Sequence, residues 1–348
     1  MTTNKWMKLL RQAEGAVDRD YNAFDPKNVM SSPSPSLNWI CGKAGGIPFG
    51  YSAAVYGPAK SGKSLVSYLF AGELHQKDPE AIVVRFDTEM RSTAQMKGNW
   101  GIDYDRFMAI DTNKPSQIFD YISKDINEMC EQGAPIKLII IDSLTAIQGL
   151  REQNADSIEN VQMADRAAMV TKGLKQILPV VRKHKIALIL TSHMRANLDA
   201  GLYGPKEKAA LTFAEKHFAE MFIKVTRDNA KEGKADILGN ALVDDSVKDF
   251  KDNKEITGHK IYVKMEENSL GVAGRTGEFT ISYEDGLINT HEEVFLLGIN
   301  TGIVERPNNR TYIFDGKSYS SKADFVNAIK DDKQLYNSIL LKVRDRDL

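Results

Sequence analysis

The sequence predicts an α/β fold with a mostly parallel central sheet and an antiparallel extension. Four short apolar runs carry almost no polar alternation, which is typical of parallel strands buried on both faces. The segments between these runs are long enough for crossover helices. After residue 221 apolar and polar residues alternate in shorter runs, which is typical of antiparallel strands. The four buried runs are residues 53–56, 81–86, 138–141 and 186–190.

The first 35 residues are predicted to form a helix and a linker. Residues 5–18 can form a helix with one apolar stripe, which needs a partner. The Ser-, Pro- and Gly-rich stretch after residue 24 predicts a linker that reaches the core at about residue 36. We expect three units: residues 1–35, an α/β core at 36–290, and a small α/β C-terminal domain at 291–348.

The composition limits the classes of function. The 348 residues are 42% hydrophobic and 27% charged, which fits one large domain or a core with a smaller appendage. Cys41 and Cys130 lie far apart and in no metal-binding spacing, so we expect neither a disulfide framework nor a zinc site. No signal peptide or membrane span is visible, and we expect a cytoplasmic protein. A formal net charge of −1 requires any DNA binding to use local basic patches or backbone amides.

A phosphate-binding motif follows the first buried run. Residues 57–64, here called the phosphate loop, fit GxxxxGK[ST]. Its glycines let backbone amides close around phosphate, Lys63 neutralises phosphate oxygens, and Ser64 binds magnesium. A strand before the motif and a helix after it disfavour a chance match. The predicted nucleotide-binding residues of this segment are Gly57, Pro58, Ala59, Lys60, Ser61, Gly62, Lys63, Ser64 and Leu65.

Two other apolar runs end in carboxylates. "KLIIIDS" ends in Asp142, which is expected beside the phosphate loop as a second magnesium-binding residue. The alternative is an Asp that caps the next turn. "VVRFDTEM" ends in Asp87 and Glu89, and Glu89 is a candidate to orient or deprotonate the attacking water. An acid in a surface loop fits the spacing of Glu89 equally well.

The fourth run ends in His193, which could contact the γ-phosphate; a partly buried His with no role is the alternative. A Gly- and Lys-containing loop follows to about residue 213, and such a loop could couple the nucleotide state to a bound partner. The segments "MFIKVTR", "HKIYVKM" and "EFTISYEDGLI" predict the antiparallel strands. The charged segment 228–258 predicts an exposed insertion, a solvated hairpin rather than a partner-binding element.

Taken in order, these segments resemble the RecA-like DNA strand-exchange recombinases, and within them the phage branch typified by UvsX. The resemblance covers most of the chain. It rests on "SPSLNWICGKAGGIPFGYSAAVYGPAKSGKS", "FDTEM", "IIIDS", "LTSHMR" and the segment from "EFTISYEDGL" to "DGKSY". The pair Lys60 and Ser61, together with His193, is similar to the phage branch. The resemblance implies a RecA-like P-loop ATPase core.

The resemblance also implies roles for residues. Glu89 matches the family's catalytic carboxylate, Lys63 acts with it, and His193 matches the residue that senses the γ-phosphate. The implied cofactors are ATP and Mg²⁺, and the implied activity is that of a DNA-dependent ATPase. Met96 lies where the bacterial relatives place an aromatic residue against adenine. The implied DNA-binding residues are Arg166, Arg195, Asn197, Lys206 and Lys208.

The implied mechanism is a helical filament of this chain on single-stranded DNA, with ATP bound between protomers. The helix at residues 5–18 would dock on the neighbouring protomer. Contacts mainly to the DNA backbone would give low sequence specificity, and pairing with a homologous duplex would be tested by the bases. A mediator and a single-strand binding protein are further expected partners. The expected location is the cytoplasm of a bacterial or phage-infected cell.

One departure from the family concerns the contact between protomers. In RecA, two lysines near the end of the core contact the ATP that is bound to the neighbouring protomer. Here Glu267 and Ser269 lie near those positions, and Lys264 or Arg275 could substitute only with a different local geometry. Cooperative activation of hydrolysis therefore stays open. Two other functions also stay open: a ring-shaped helicase and a non-hydrolysing DNA-binding scaffold.

Overall fold

The computed structural model describes residues 21–91, 100–149, 163–196, 207–209, 218–227, 258–282 and 284–346. At residues 163–165, 195–196 and 207–209 the description covers the backbone alone. The predicted helix at 5–18 and nearly all of the predicted insertion, residues 228–257, lie outside the described residues. The first half of the chain contributes strands β1 (Val29–Met30), β2 (Ile47–Pro48), β3 (Ser52–Gly57), β4 (Ile82–Asp87), β5 (Phe107–Asp111), β6 (Ile136–Asp142) and β7 (Ala187–Ala196). The second half contributes β8 (Glu207–Ala209), β9 (Met221–Arg227), β10 (Gly258–Asn268), β11 (Thr276–Ser282), β12 (Gly286–Ile288), β13 (Tyr312–Phe314) and β14 (Lys317–Tyr319).

The centre of the fold is one mixed sheet with the order β12-β11-β10-β9-β3-β7-β6-β4-β5, and β8 pairs with β7. Strands β9, β3, β7, β6, β4 and β5 run parallel, while β10, β11 and β12 continue the sheet in antiparallel pairing. The predicted α/β class is confirmed. The segment "MFIKVTR" forms β9 and joins the two parts, because it pairs parallel with β3 and antiparallel with β10.

Helices cover both faces of the parallel strands. The helix Lys63–Lys77 packs on one face. The other face is covered by the helix Met163–Lys183 and by the π-helical segment Ser116–Ile126, which the helix Asn127–Glu131 continues. Consecutive side chains of residues 138–141 in β6 and 187–190 in β7 enter opposite clusters, so these parts of the two strands are entirely apolar. This double burial explains the unbroken apolar runs in the sequence. The remaining α-helices of the described residues are Pro35–Ile40, Thr290–Asn300, Lys322–Asp331 and Lys333–Asp345, and short 3-10 helices span Pro26–Asn28, Gly42–Ala44 and Leu144–Ala146.

The Ser- and Pro-rich stretch, predicted as a linker, contains packed elements. Met30, Leu37 and Ile40 are buried in the main cluster of the core. The Ser34 hydroxyl caps the helix Pro35–Ile40 by accepting a hydrogen bond from the Leu37 amide. Ser and Pro at these positions therefore start a helix, which composition alone does not distinguish from a linker.

The C-terminal residues form a cluster of their own, in which Phe295, Tyr312 and Phe325 are buried. The Trp39 side chain packs against this cluster and against the main core. The domain boundaries at residues 35 and 290 stay predictions. No helix among the described residues is long and apolar enough to cross a membrane.

The buried carboxyl of Glu293 connects the C-terminal part of the chain to the segment around Ser34. Glu293 lies on the helix Thr290–Asn300 and is 3% exposed. Its Oε2 accepts hydrogen bonds from the Ser34 hydroxyl at 2.5 Å and from the Ser36 amide at 2.9 Å. Burial raises the pKa of Glu293 from 4.5 to about 8, although these hydrogen bonds act to lower it. The folded protein therefore favours the protonated carboxyl.

This raised pKa predicts a loss of stability as the pH rises. Below pH 4.5 the carboxyl is protonated in both states, and its contribution is complete. Between pH 4.5 and about 8 the unfolded chain loses the proton first, so the contribution falls and is gone above the folded pKa. Urea unfolding measures the free energy of unfolding at about pH 5 and at about pH 9. The decrease between the two pH values should be smaller in Glu293→Gln than in the wild type, by a few kcal/mol. Glu292→Gln, at a half-exposed neighbour, should keep the wild-type pH dependence; an unchanged slope in Glu293→Gln would contradict the prediction.

Candidate functional site

The order of the strands brings four strand ends to one edge of the sheet. Gly57 at the end of β3 is opposite His193 on β7, and Asp87 at the end of β4 is opposite Asp142 on β6. Strands β6 and β7 are themselves neighbours. The carboxyl ends of these parallel strands therefore meet at one place, which is where α/β sheets bind ligands.

The phosphate loop connects β3 to the helix Lys63–Lys77. A Cβ on Gly57 would lie 2.0 Å from the Val225 carbonyl oxygen, so only glycine fits there. Gly62 has a φ of +99°, in the region that favours glycine. Both glycines named in the motif are thus required by the backbone, and the loop ends at a helix N-terminus that favours anions.

Lys63 is buried at the start of that helix. Its Nζ donates to the carbonyl oxygens of Pro58 at 2.8 Å and Gly57 at 3.2 Å. Burial lowers the pKa of Lys63, and the carboxylates of Asp142 and Glu89 oppose that change. The ammonium group is therefore held against the loop by neutral carbonyls, and a phosphate oxygen would be a stronger partner for it.

Asp142 is surrounded by donors. Its Oδ2 accepts hydrogen bonds from the Ser64 hydroxyl at 2.8 Å and from the Arg85 guanidinium at 2.9 Å, and its Oδ1 accepts one from the Thr191 hydroxyl at 2.5 Å. Burial acts to raise the pKa of this carboxyl. The Arg85 charge and the hydrogen bonds outweigh burial and hold the pKa below its usual value. Asp142 is therefore ionised at neutral pH.

The residues present fit a magnesium ion. Ser64 and Asp142 offer a hydroxyl and a carboxylate oxygen side by side, and Mg²⁺ prefers oxygen ligands. Among the described residues no group of three or more His, Cys, Asp or Glu could hold a metal. A site with few protein ligands is typical of Mg²⁺ held together with nucleotide phosphates.

Glu89 lies in the same cavity and is held by three side chains. Its Oε1 is 2.5 Å from His193 Nε2 and accepts a hydrogen bond from the Ser143 hydroxyl at 3.1 Å. Its Oε2 pairs with Arg91 at 3.0 Å. Asp87 shapes the turn that carries Glu89, because its carboxylate accepts hydrogen bonds from the backbone amides of Glu89 and Arg91. The structure thus fixes a carboxylate at the cavity and links it to β7 through His193.

The cavity formed by these elements has a volume of about 480 Å³. The cavity is lined by residues 60–65 of the phosphate loop region and by Glu89, Asp142 and His193, so the structure brings together most of the residues proposed from the sequence for catalysis and nucleotide binding. Sequence reasoning assigned no role at this cavity to Arg85 and Arg91, nor to the far wall from the antiparallel strands. That wall consists of Arg227, His259, Ile261 and Ile281.

The structure does not test most of the other residues proposed from the sequence. Met96, Asn197 and Lys206 are outside the described residues, and the side chains of Arg195 and Lys208 are too. Arg166 is described, and its Nη1 donates to the Thr145 carbonyl oxygen at 2.9 Å. The DNA-binding assignments therefore stay predictions.

Glu267 and Ser269, the two positions where the resemblance places lysines, carry no positive charge. Glu267 and Ser269 are exposed near the end of β10. Arg275 donates to the Trp39 carbonyl oxygen at 3.1 Å and lies 3.7 Å from the centre of the Trp39 ring. Lys264 is exposed and lies directly across from Lys224 on β9. Arg275 is therefore engaged within its own protomer.

Comparison with known proteins agrees with this geometry. Residues 20–288, well over half of the chain, match the model of the RecA N-terminal domain. Protein RecA of Helicobacter acinonychis (strain Sheeba) is 23% identical over 316 residues, covering 91% of this chain and 83% of that protein. Protein RecA of Thermotoga neapolitana is 22% identical over 332 residues, covering 94% and 86%. The phosphate loop and these matches together place the chain in the RecA family.

Proposed function

We propose that this chain is an ATP-dependent homologous recombination protein. It forms helical filaments on single-stranded DNA and catalyses pairing and strand exchange with a homologous duplex. Membership of the RecA family supports this function. The observation that carries it is that Lys63, Ser64, Asp142 and Glu89 line one cavity and together provide the groups needed to bind and hydrolyse ATP.

Each group has a distinct role in this proposal. Lys63 and the amides of the phosphate loop hold the phosphate oxygens, and Ser64 with Asp142 provides the magnesium-binding oxygens. Bound Mg²⁺ supplies positive charge that neutralises the phosphates. Glu89 orients the attacking water and takes its proton while the terminal phosphoryl group leaves ADP. The products are ADP and phosphate.

His193 is the proposed link between the nucleotide and DNA. Its Nε2 forms a hydrogen bond with Glu89, and it lies in β7, which continues to Ala196. A change at the γ-phosphate would alter this bond and the segment that follows the strand. We place the DNA contacts on that segment and on the helix after β6, with Arg166, Arg195, Asn197, Lys206 and Lys208 as contributors. We also propose that ATP-bound protomers polymerise in the cytoplasm of a bacterial or phage-infected cell.

The phage UvsX-like branch is the finer assignment that we propose. Lys60 and Ser61 in the phosphate loop support it, as does a His in place of the Gln that cellular relatives carry at position 193. A mediator and a single-strand binding protein are proposed partners on the same basis.

A non-hydrolysing DNA scaffold is the second candidate. Exposed Glu267 and Ser269 favour it, because neither carries the positive charge with which the family's lysines reach the neighbouring ATP, and Arg275 is engaged by Trp39. The complete set of Lys63, Ser64, Asp142 and Glu89 argues for hydrolysis.

Negative-stain electron microscopy with single-stranded DNA and a slowly hydrolysed ATP analogue tests the proposal. We expect helical filaments that disappear when the nucleotide is omitted. Closed rings would instead support a ring-shaped helicase. DNA without bound protein would contradict the recombinase function, while filaments together with undetectable ATP turnover would support the scaffold.

A further inference from the structure

A buried arginine lies beside the magnesium-binding carboxylate. Arg85 is in β4 and is 5% exposed. Its Nη2 donates to Asp142 Oδ2 at 2.9 Å, and its Nη1 lies 3.1 Å from Asp87 Oδ2. The guanidinium carbon also lies 5.5 Å from the centre of the Tyr68 ring. One cation thus bridges the two strand-terminal carboxylates that face each other across β4 and β6.

The same carboxylate oxygen is also used by the proposed magnesium site. Asp142 Oδ2 accepts the Ser64 hydroxyl as well as Arg85. A buried carboxylate is costly unless it is paired, and Asp87 and Asp142 are both buried. Without metal, the fixed charge of Arg85 meets this need. With metal, Arg85 and Mg²⁺ are two cations beside one carboxylate, and they repel each other.

Arg85 is connected to the catalytic turn as well. The Asp87 carboxylate that it pairs with accepts the backbone amides of Glu89 and Arg91. The guanidinium therefore holds the magnesium-binding strand and the turn carrying Glu89 in one arrangement before any ligand binds. An arginine suits this place because its fork can donate to two carboxylates at once.

We propose that Arg85 is an internal counter-ion of the magnesium site, a positioning residue that stabilises Asp87 and Asp142 without metal and lowers the affinity of the site for Mg²⁺. This inference rests on the proposed function, because it takes Asp142 and Ser64 as the magnesium-binding residues. By lowering this affinity, Arg85 sets the Mg²⁺ concentration that the protein needs to bind nucleotide.

The test compares Arg85→Met, Arg85→Lys and the wild type. Magnesium is titrated against a fluorescent ATP analogue, and the free Mg²⁺ concentration at half-maximal binding is measured. We expect it to fall about tenfold in Arg85→Met, because a repelling charge is removed, and to change less than about threefold in Arg85→Lys, which keeps the charge. Arg182→Met, at an exposed arginine paired with Glu220, is the control and should match the wild type. An unchanged or increased magnesium requirement in folded Arg85→Met would overturn the inference, since a purely structural role lowers stability without lowering that concentration.

A second pair of variants decides the matter if Arg85→Met does not fold. Asp87→Asn keeps one of the two oxygens that accept the backbone amides of Glu89 and Arg91, and it removes one of the two buried carboxylates. Adding Arg85→Met to Asp87→Asn should again lower the magnesium requirement relative to Asp87→Asn alone. Equal requirements in the two proteins would overturn the inference.

Thermal unfolding separates this inference from the proposed function. Without nucleotide, Mg²⁺ should raise the Tm of the Arg85→Met variant by several degrees more than that of the wild type, because binding to the folded state stabilises it. A wild type that binds no nucleotide at any magnesium concentration would refute the proposed function, while this comparison would still decide the role of Arg85. Equal Tm shifts would count against the counter-ion.

Discussion

Replacing Lys63 with alanine is expected to abolish ATP-dependent filament formation. The Lys63 ammonium is buried against the carbonyls of Gly57 and Pro58, at the start of a helix and inside the cavity. No other lysine of the described phosphate loop is buried there, since Lys60 is exposed. Loss of one pre-organised charge typically reduces turnover by about 10²–10³-fold. Negative-stain images with the ATP analogue and a steady-state ATPase assay measure the two effects.

Lys77→Ala is the matched control for Lys63→Ala. Lys77 is at the other end of the same helix, and its exposed ammonium group pairs with Glu73. Its replacement should leave filaments and turnover near wild type, because exposed pairs contribute little. Normal filaments in Lys63→Ala, with the helix intact by circular dichroism, would show that nucleotide binding at the phosphate loop does not drive assembly.

The parts of the site that are local in sequence could be predicted from it. The phosphate loop is one continuous segment whose glycines are required by the backbone, as the contact at Gly57 and the positive φ of Gly62 show. Asp142 and Glu89 follow buried strands, and parallel strands bring their carboxyl ends to one edge. Position in the chain was enough to favour Asp142, whereas for Glu89 it left an acid in a surface loop equally possible, and the resemblance to the RecA-like recombinases decided between the two.

Contacts set by the order and register of the strands could not be predicted in the same way. Arg85 interrupts the apolar run "VVRF", and its role depends on β4 lying next to β6 with Asp87 opposite Asp142. Arg227 and His259 reach the cavity only because β9 and β10 continue the sheet beyond β3. The sequence separation of these residues from the phosphate loop leaves no local pattern to detect.

Composition was misleading where polar residues serve as caps. The Ser- and Pro-rich stretch suggested a linker, yet Ser34 caps a helix and also donates to buried Glu293. Small polar residues satisfy backbone groups at element ends as well as in loops, so composition does not separate the two cases. The pairing with Glu293 joins residues 259 positions apart, which no local pattern indicates.

Replacing Glu89 with glutamine is expected to separate binding from hydrolysis. The amide keeps the shape of the side chain, so nucleotide and DNA binding should stay near wild type. It cannot take a proton from water, and general-base catalysis typically contributes about 10²–10⁴-fold. A single-turnover ATPase assay measures the loss, and fluorescence anisotropy with labelled single-stranded DNA measures the binding.

Two further variants, His193→Gln and Glu80→Gln, test whether the loss of turnover is specific to the Glu89 carboxylate. Glu80 is exposed in the turn before β4, so Glu80→Gln should hydrolyse ATP at the wild-type rate. His193→Gln keeps a side chain able to hydrogen-bond to Glu89, so it should retain more turnover than Glu89→Gln. Wild-type turnover in Glu89→Gln would remove Glu89 from catalysis. It would leave Asp87 as the carboxylate to examine next, because Asp87 lines the same cavity.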